Sequence, residues 1–304
     1  MKKVLGSLAL FGILATGSMA YAQQEIDTCW NFNKARDYKR AIEAGQSAIK
    51  KYPSNAGAYY CLGEAYFNIG EFKSAYENMK KAESLTNNKE DLMHIYNLIG
   101  MILDSIGYLD DALLYYNKSL SLAKDLGNTA MQATSLNNIA GIYYKIGKLD
   151  KALSYYEESL NLRTNEKDKA TNYNNIAIIY DKKGNYQKAI EYFQKAIEIE
   201  EKYGDYHGAS IDKLNLGGNT YRKMKDYKNA EKYLSEGLEG VKKVGDKFWE
   251  AYGYAYLAWL YKDKGDKKTA REYYTRAYNL FKSIGAELYA LHVLNEMKKL
   301  DKSK

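Results

Sequence analysis

A single proline, Pro53, stands in 304 residues. Proline removes a backbone donor and clashes with the preceding helical turn, so its scarcity leaves the rest of the chain open to long helices. Strands have little support, because no segment alternates apolar and polar residues with period two for long enough to make one. Histidine is scarce too, and His94, His207 and His292 lie far apart, with no Cys or carboxylate pair at a metal-ligand spacing. There is no phosphate-cradling glycine loop; Leu216-Gly217-Gly218-Asn219 is isolated inside a helical pattern. Paired carboxylates such as Asp110-Asp111 and Glu157-Glu158 read as helix-start charges or solvated faces. These absences argue against an enzyme and leave no expected catalytic residue, metal or cofactor.

Long apolar runs are also missing after the first 22 residues, none approaching the ~20 that a spanning helix needs. The beginning differs: Lys2 and Lys3, an apolar run from Val4 to about Thr16, then Ala20-Tyr21-Ala22 before Gln23. A charged start, a short apolar stretch and small residues at −3 and −1 predict a secretory signal peptide over 1–22, with a retained anchor as the alternative. No cysteine follows the cut, which argues against a lipid anchor. The mature chain is therefore expected outside the cytoplasm, periplasmic or extracellular, without a transmembrane segment. The formal charge of +7, from 45 basic and 38 acidic residues, is dispersed and gives no argument for a nucleic-acid partner. Cys29 and Cys61 admit a disulfide in an oxidising compartment. Both also stand where small apolar side chains pack, so two buried thiols are the competing expectation.

What the chain has is a repeat. RDYKRA, GEFKSA, GYLDDA, GKLDKA, GNYQKA, KDYKNA and GDKKTA end at Ala41, Ala75, Ala112, Ala152, Ala189, Ala230 and Ala270, roughly every 34 to 41 residues. Twelve residues before each alanine stands a small residue: Cys29, Gly63, Gly100, Ala140, Ala177, Gly218, Ala258. Seven after it stands another: Ala48, Ala82, Ser119, Ser159, Ala196, Gly237, Ala277. Small residues in three columns let two antiparallel helices, A and B, approach closely. Nine before it comes a large side chain, Phe32, Tyr66, Leu103, Tyr143, Tyr180, Tyr221 or Tyr261, expected to fill the seam between neighbouring repeats. Glycines such as Gly107 and Gly147 end helix A and others such as Gly204 end helix B; in the sixth repeat Lys225 takes the glycine's place. The sixth repeat's Gly217-Gly218 leaves its frame ambiguous by one residue.

In these columns the chain resembles the tetratricopeptide repeat family, most closely through Tyr59, Leu62, Gly63, Tyr66, Ala75 and Ala82, with Pro53 closing the first repeat. The resemblance covers about 24–283, and its longer repeats look like the long-repeat subclass. It implies an all-α, right-handed α-solenoid of about seven helix pairs, at 23–54, 55–87, 88–127, 128–165, 166–204, 205–245 and 246–284, with 285–304 as a capping helix and tail.

The resemblance also implies which helix A residues face an inner groove: Asn97 and Met101; Asn137, Asn138 and Tyr144; Asn174, Asn175 and Asp181; Asn215 and Asn219. Asparagine carries one acceptor and two donors, so a row of them suits the backbone of an extended peptide. The same amides also suit bonds within the array. Lys145, Lys182, Lys183, Arg222, Lys223 and Lys262 recur near the end of helix A, where they complement the helix dipole or steer an acidic segment. Tyr115, Tyr155, Tyr192, Tyr233 and Tyr273 form a stripe on helix B, and Phe248, Trp249, Tyr252, Tyr254, Tyr256 and Trp259 cluster near the end. Packing or a second contact face accounts for each. The expected function is an exported, non-enzymatic scaffold that holds a protein or peptide partner in its groove; the alternative is a ligand-sensing or regulatory ectodomain beside a membrane signalling or transport system, and a third is a structural assembly part.

Overall fold

The computed structural model describes residues 17–302, and among them every regular element is helical. Residues 1–16 of the predicted leader lie outside the described residues, and α1 begins at Gly17. No described helix is long and apolar enough to cross a membrane. The chain forms two compact units, 1–131 and 132–304, whose boundary falls in the first turn of α7.

The first unit holds three helix pairs: α1 (Gly17–Lys34) with α2 (Tyr38–Lys51), α3 (Ala56–Asn68) with α4 (Phe72–Leu85), and α5 (Lys89–Ser105) with α6 (Leu109–Asp125). Ala41, Ala75 and Ala112 are wholly buried, as are Ala48, Ala82 and Ser119 two turns further along the same helical face. Close approach is the reason. A Cβ on Gly100 would lie 2.6 Å from the Tyr116 ring, and one on Gly63 would lie 2.4 Å from Met79 Cε. Where the column carries serine, its hydroxyl is satisfied across the pair: Ser119 Oγ donates to the Met93 carbonyl at 2.9 Å. Cys29 and Cys61 are joined by a disulfide with Cα atoms 6.3 Å apart, within bridging range, so α1 is stapled to α3. Of the two expectations for these cysteines, the bridge is the one realised.

The second unit continues the pattern: α7 (Thr129–Lys145) with α8 (Leu149–Leu162), α9 (Glu166–Lys182) with α10 (Tyr186–Lys202), α11 (Tyr206–Asn215) with α12 (Tyr227–Lys243), and α13 (Lys247–Asp263) with α14 (Lys267–Ser283), followed by α15 (Glu287–Lys302). Asn165, Asn185, Asp205, Asp226, Asp246 and Asp266 each cap a helix by accepting a backbone N–H. Ala152, Ala189, Ala230 and Ala270 are fully buried at the turns. Ser159 Oγ donates to the Ala133 carbonyl at 2.6 Å, repeating the Ser119 bond one unit on.

The sixth pair resolves the ambiguous frame. Leu216–Tyr221 is a π-helical turn following α11, so helix A carries one extra residue there. The glycine that meets helix B is therefore Gly217, not Gly218: a Cβ on Gly217 would sit 2.8 Å from the Ala230 carbonyl oxygen and 3.0 Å from Leu234 Cγ, matching Gly63 against Ala75 and Met79. Gly218 turns the other way, where a Cβ would lie 2.3 Å from the Tyr256 ring. The bulge ends by Tyr221, which regains the register of the other repeats and stacks on Tyr233 at 5.3 Å. The same stack joins Tyr143 to Tyr155, Tyr180 to Tyr192 and Tyr261 to Tyr273, at 5.3, 5.6 and 5.6 Å. These rings close their own helix pair, not the seam between repeats, because positions nine before and three after the turn alanine face one another across the turn. Lys151, Lys188, Lys232 and Lys264 lie over rings of these stacks.

The sixth turn also lacks its glycine, and Lys225 takes the left-handed conformation at φ 61°. A side chain with a Cβ is strained there by ~1 kcal/mol. Lys225→Gly is expected to stabilise the protein by about 0.5–1 kcal/mol in chemical denaturation, the glycine's extra unfolded-state entropy offsetting part of the relief. No gain, or a loss, would show that the turn is not strained.

Candidate partner-binding wall

In the second unit, successive A helices stand side by side, and polar side chains join each to the next about one repeat further along. Asn175 Nδ2 on α9 donates to Asn137 Oδ1 on α7 at 3.1 Å. Asn174 Nδ2 donates to Asp212 Oδ1, bringing in α11. Tyr256 on α13 is buried and takes part in two bonds: Asn219 Nδ2 donates to its hydroxyl at 3.0 Å, and that hydroxyl donates to Asn215 Oδ1 at 3.2 Å. Burial pushes the Tyr256 hydroxyl up to about 12, the Asn219 bond acting in the opposite direction. The π-helical turn makes this bond pair reachable, since Gly218 leaves room for the Tyr256 ring.

A second polar knot centres on Asp181, only 6% exposed. It accepts from Thr220 Oγ1 at 3.1 Å and forms an ion pair with Lys223. A buried carboxylate needs such partners, because leaving it unpaired costs several kcal/mol. Tyr144 on α7 lies close by; desolvation first, and then the negative charge of Asp181, raises its hydroxyl, with Lys223 opposing.

Beyond the knot the wall becomes aromatic and paired in charge. Arg222 Nε donates to the Gly218 carbonyl at 2.7 Å, its Nη1 meets Asp263 at 2.5 Å, and its guanidinium lies 5.9 Å from the Trp259 ring centre. His292 meets the other side of Trp259 edge-on at 6.1 Å, and Lys262 pairs with Glu296 at 2.9 Å. These six residues line a shallow groove of about 250 Å³.

The predicted site residues therefore divide. Asn175 is bonded to Asn137, Asn174 to Asp212, and Asn215 and Asn219 both to Tyr256, while Tyr144, Asp181 and Lys223 are brought into one knot. Asn138 is half-buried on α7, Lys145 and Lys182 are exposed at the ends of α7 and α9, and Asn97, in the first unit, donates to Met101 Sδ at 3.6 Å within α5. Arg222, Lys223 and Lys262 are each paired with a carboxylate on a neighbouring A helix or on α15, so the basic track is largely neutralised where it crosses the wall. Sequence reasoning missed Asp212 and Thr220, and placed Tyr256 in the late aromatic cluster and not among the amides it bonds. Their signal was the period itself: each stands 37 to 41 residues from its partner, one repeat away. The late aromatic cluster is split as well. Phe248 and Tyr252 pack with Phe281 and Tyr289 as the closing core, and Trp259 faces the groove. Among the described residues no three His, Cys, Asp or Glu converge as a metal site.

Models of the tetratricopeptide repeat match the chain over 32–86, over 94–126, and over 131–202 and 211–283. The TPR repeat-containing protein MJ1428 of Methanocaldococcus jannaschii is 33% identical over 94 residues, 31% of this chain and only 16% of that protein's length. Among solved structures, the apo form of RapI is similar with a TM-score of 0.71 at 15% identity, covering 88% of this chain and 99% of that one. The apo quorum sensor NprR from B. thuringiensis gives 0.68 at 17%, covering 94% and 89%. The Rap conjugation gene regulator of the plasmid pLS20, in complex with the Phr* peptide, gives 0.64 at 19%, covering 96% and 82%. At these identities the likeness is one of fold.

Proposed function

Since the chain belongs to the tetratricopeptide repeat family, as an all-α solenoid of helix pairs, we propose that it is an exported scaffold whose A-helix wall in residues 132–304 receives an extended segment of an envelope protein. The observation that carries this reading is the row of amides: Asn137, Asn138, Asn174, Asn175 and Asn219 recur on successive A helices and stay only half-buried. Each amide has two donors and an acceptor, and the bonds that Asn174, Asn175 and Asn219 donate to Asp212, Asn137 and Tyr256 use only part of that capacity. The remaining edges suit a peptide main chain, and Trp259 with Arg222 offers an aromatic and cationic stop at the end of the row. The peptide in the pLS20 Rap regulator's structure supports the choice of a peptide guest. In this reading the leader over 1–22 is removed, the mature chain starts at Gln23, and no step of chemistry is performed.

Photo-crosslinking in cells tests it. A crosslinking residue at position 182, exposed at the end of α9, is expected to trap the partner, and one at the exposed position 198 of α10 is not. Asn138→Ala with Asn175→Ala is expected to weaken capture about tenfold, the loss of one or two hydrogen bonds, with little change in the thermal midpoint. Adducts from position 198 alone, or a steep fall in the midpoint of the double variant, would mean that the amides serve only to hold the array together.

A further inference from the structure

A second cavity, away from the amide row, lies where the end of α8, the start of α9 and the end of α10 meet. It has a volume of about 250 Å³, room for about eight water molecules at ~30 Å³ each. Arg163, Lys167, Asp168 and Thr171 line it together with Glu200 and Asp205.

Arg163 is the unusual member. Its guanidinium is half-buried, and its one hydrogen bond is a long 3.5 Å contact from Nη2 to Thr134 Oγ1. Its Nε is buried with no partner, and no carboxylate lies within ion-pair distance of it among the described residues. Arginines elsewhere in the chain, such as Arg40 and Arg222, are paired with a carboxylate. Half-burial of a guanidinium with no carboxylate in ion-pair distance is unfavourable, and desolvation holds its pKa below the usual arginine value, with the charge of Asp168 opposing. The α10–α11 side of the cavity carries the opposite charge. Asp205 accepts from Gly208 N with one oxygen as it caps α11, and Glu200 stands beside it. Burial, then the charges of Asp205 and Glu201, push the Glu200 carboxyl up to about 7.

We infer that this cavity binds a free α-amino acid, its carboxylate on Arg163 and Lys167 and its ammonium on Glu200 and Asp205. A guanidinium with no carboxylate in ion-pair distance and two carboxylates with no cation in ion-pair distance, carried on different connections that line one cavity, match the two ends of a small zwitterion. A simple anion would satisfy one wall and leave the carboxylates facing it; a simple amine would do the reverse. The site goes beyond the scaffold reading and does not depend on it, since none of its residues belongs to the amide row.

The test is calorimetric titration of the full mature chain with each of the twenty standard L-amino acids, with sodium acetate and methylammonium chloride as the single-ended probes. At least one amino acid is expected to bind tenfold or more tightly than either probe. Arg163→Met is expected to weaken that binding at least tenfold. Asp205→Asn keeps the capping oxygen and removes the charge, so it stays folded and is expected to weaken binding several-fold. Position-182 crosslinking is expected to be unchanged in both variants, which separates this site from the wall. No heat with any amino acid, binding of acetate or methylammonium as tight as the best amino acid, or unaltered affinity in Asp205→Asn would overturn the inference.

Discussion

Reduction of the Cys29–Cys61 bridge is expected to destabilise the first two helix pairs by roughly 3–4 kcal/mol, the loop-closure entropy of a cross-link spanning 32 residues. The effect falls at the beginning of the array because each pair leans only on its neighbours. α1 has a partner on one side only among the described residues, and its wholly buried apolar side chain besides the bridge is little more than Ile26. The bridge replaces packing that the position cannot supply. Asn33 adds to the local dependence, donating through Nδ2 to the Cys61 carbonyl at 3.0 Å and to Glu64 Oε2 at 3.1 Å. Hydrogen exchange with and without a phosphine reductant is expected to show lost protection in α1 and α3 and unchanged protection in α13 and α14. Equal exchange in α1 with and without reductant would show that helix packing alone holds the end.

The second large effect concerns pH. Glu200 Oε2 and Asp212 Oδ2 are both buried with no hydrogen-bond partner, and the charge on Glu200 raises the Asp212 carboxyl. For Asp212 desolvation leads, then the charge on Glu200; Asn174 is the one group that lowers it, through its bond to the other oxygen. Around Glu200 stand Asp205, Glu201 and Asp212, with Arg163 and Lys167 across the cavity. The Glu200 carboxyl is lifted from 4.5 in the unfolded chain to about 7 in the fold. The unfolded chain therefore loses its proton first as pH rises. The stability tied to this proton is fully present below about pH 4.5 and is lost as pH rises through 7. On the order of 1–2 kcal/mol is expected between pH 5 and pH 8, the full linkage being reduced because Glu200 is still partly open to solvent. Glu200→Gln should flatten the profile and raise the thermal midpoint at pH 8 more than at pH 5. A midpoint that climbs steadily from pH 5 to 8 in the wild-type chain would contradict the shared burial of these two acids.

Much of the fold was legible because one repeat is read seven times. A lone Ala152 says little, but seven alanines in one column, each with a small residue seven places on, describe a close helix pair whatever the intervening residues are. The turn glycines were equally plain, since Gly107, Gly147 and Gly204 end their helices in a left-handed conformation that is a local backbone preference. The sixth repeat was misread by one place because a π turn changes the helix by a single residue, and two adjacent glycines gave no means of telling which one met helix B. The inner wall was half legible. Its amides were identified, but Asp212, Thr220 and the bonding role of Tyr256 were not, since the bond from each to its partner crosses from one helix to the next.

The sequence by itself determined the helical class, the pairing of helices, the turn glycines and the composition of the A-helix face. All of these follow from local backbone preference and from the side-chain sizes that a close helical contact allows. Tertiary structure decided which amides bind one another, that Cys29 reaches Cys61, that Arg222 and Lys223 are neutralised, and that Arg163 is left without an anion beside a cavity. Each of these depends on distances between residues tens of positions apart, and hydrogen bonds fade within an ångström or so of their optimum.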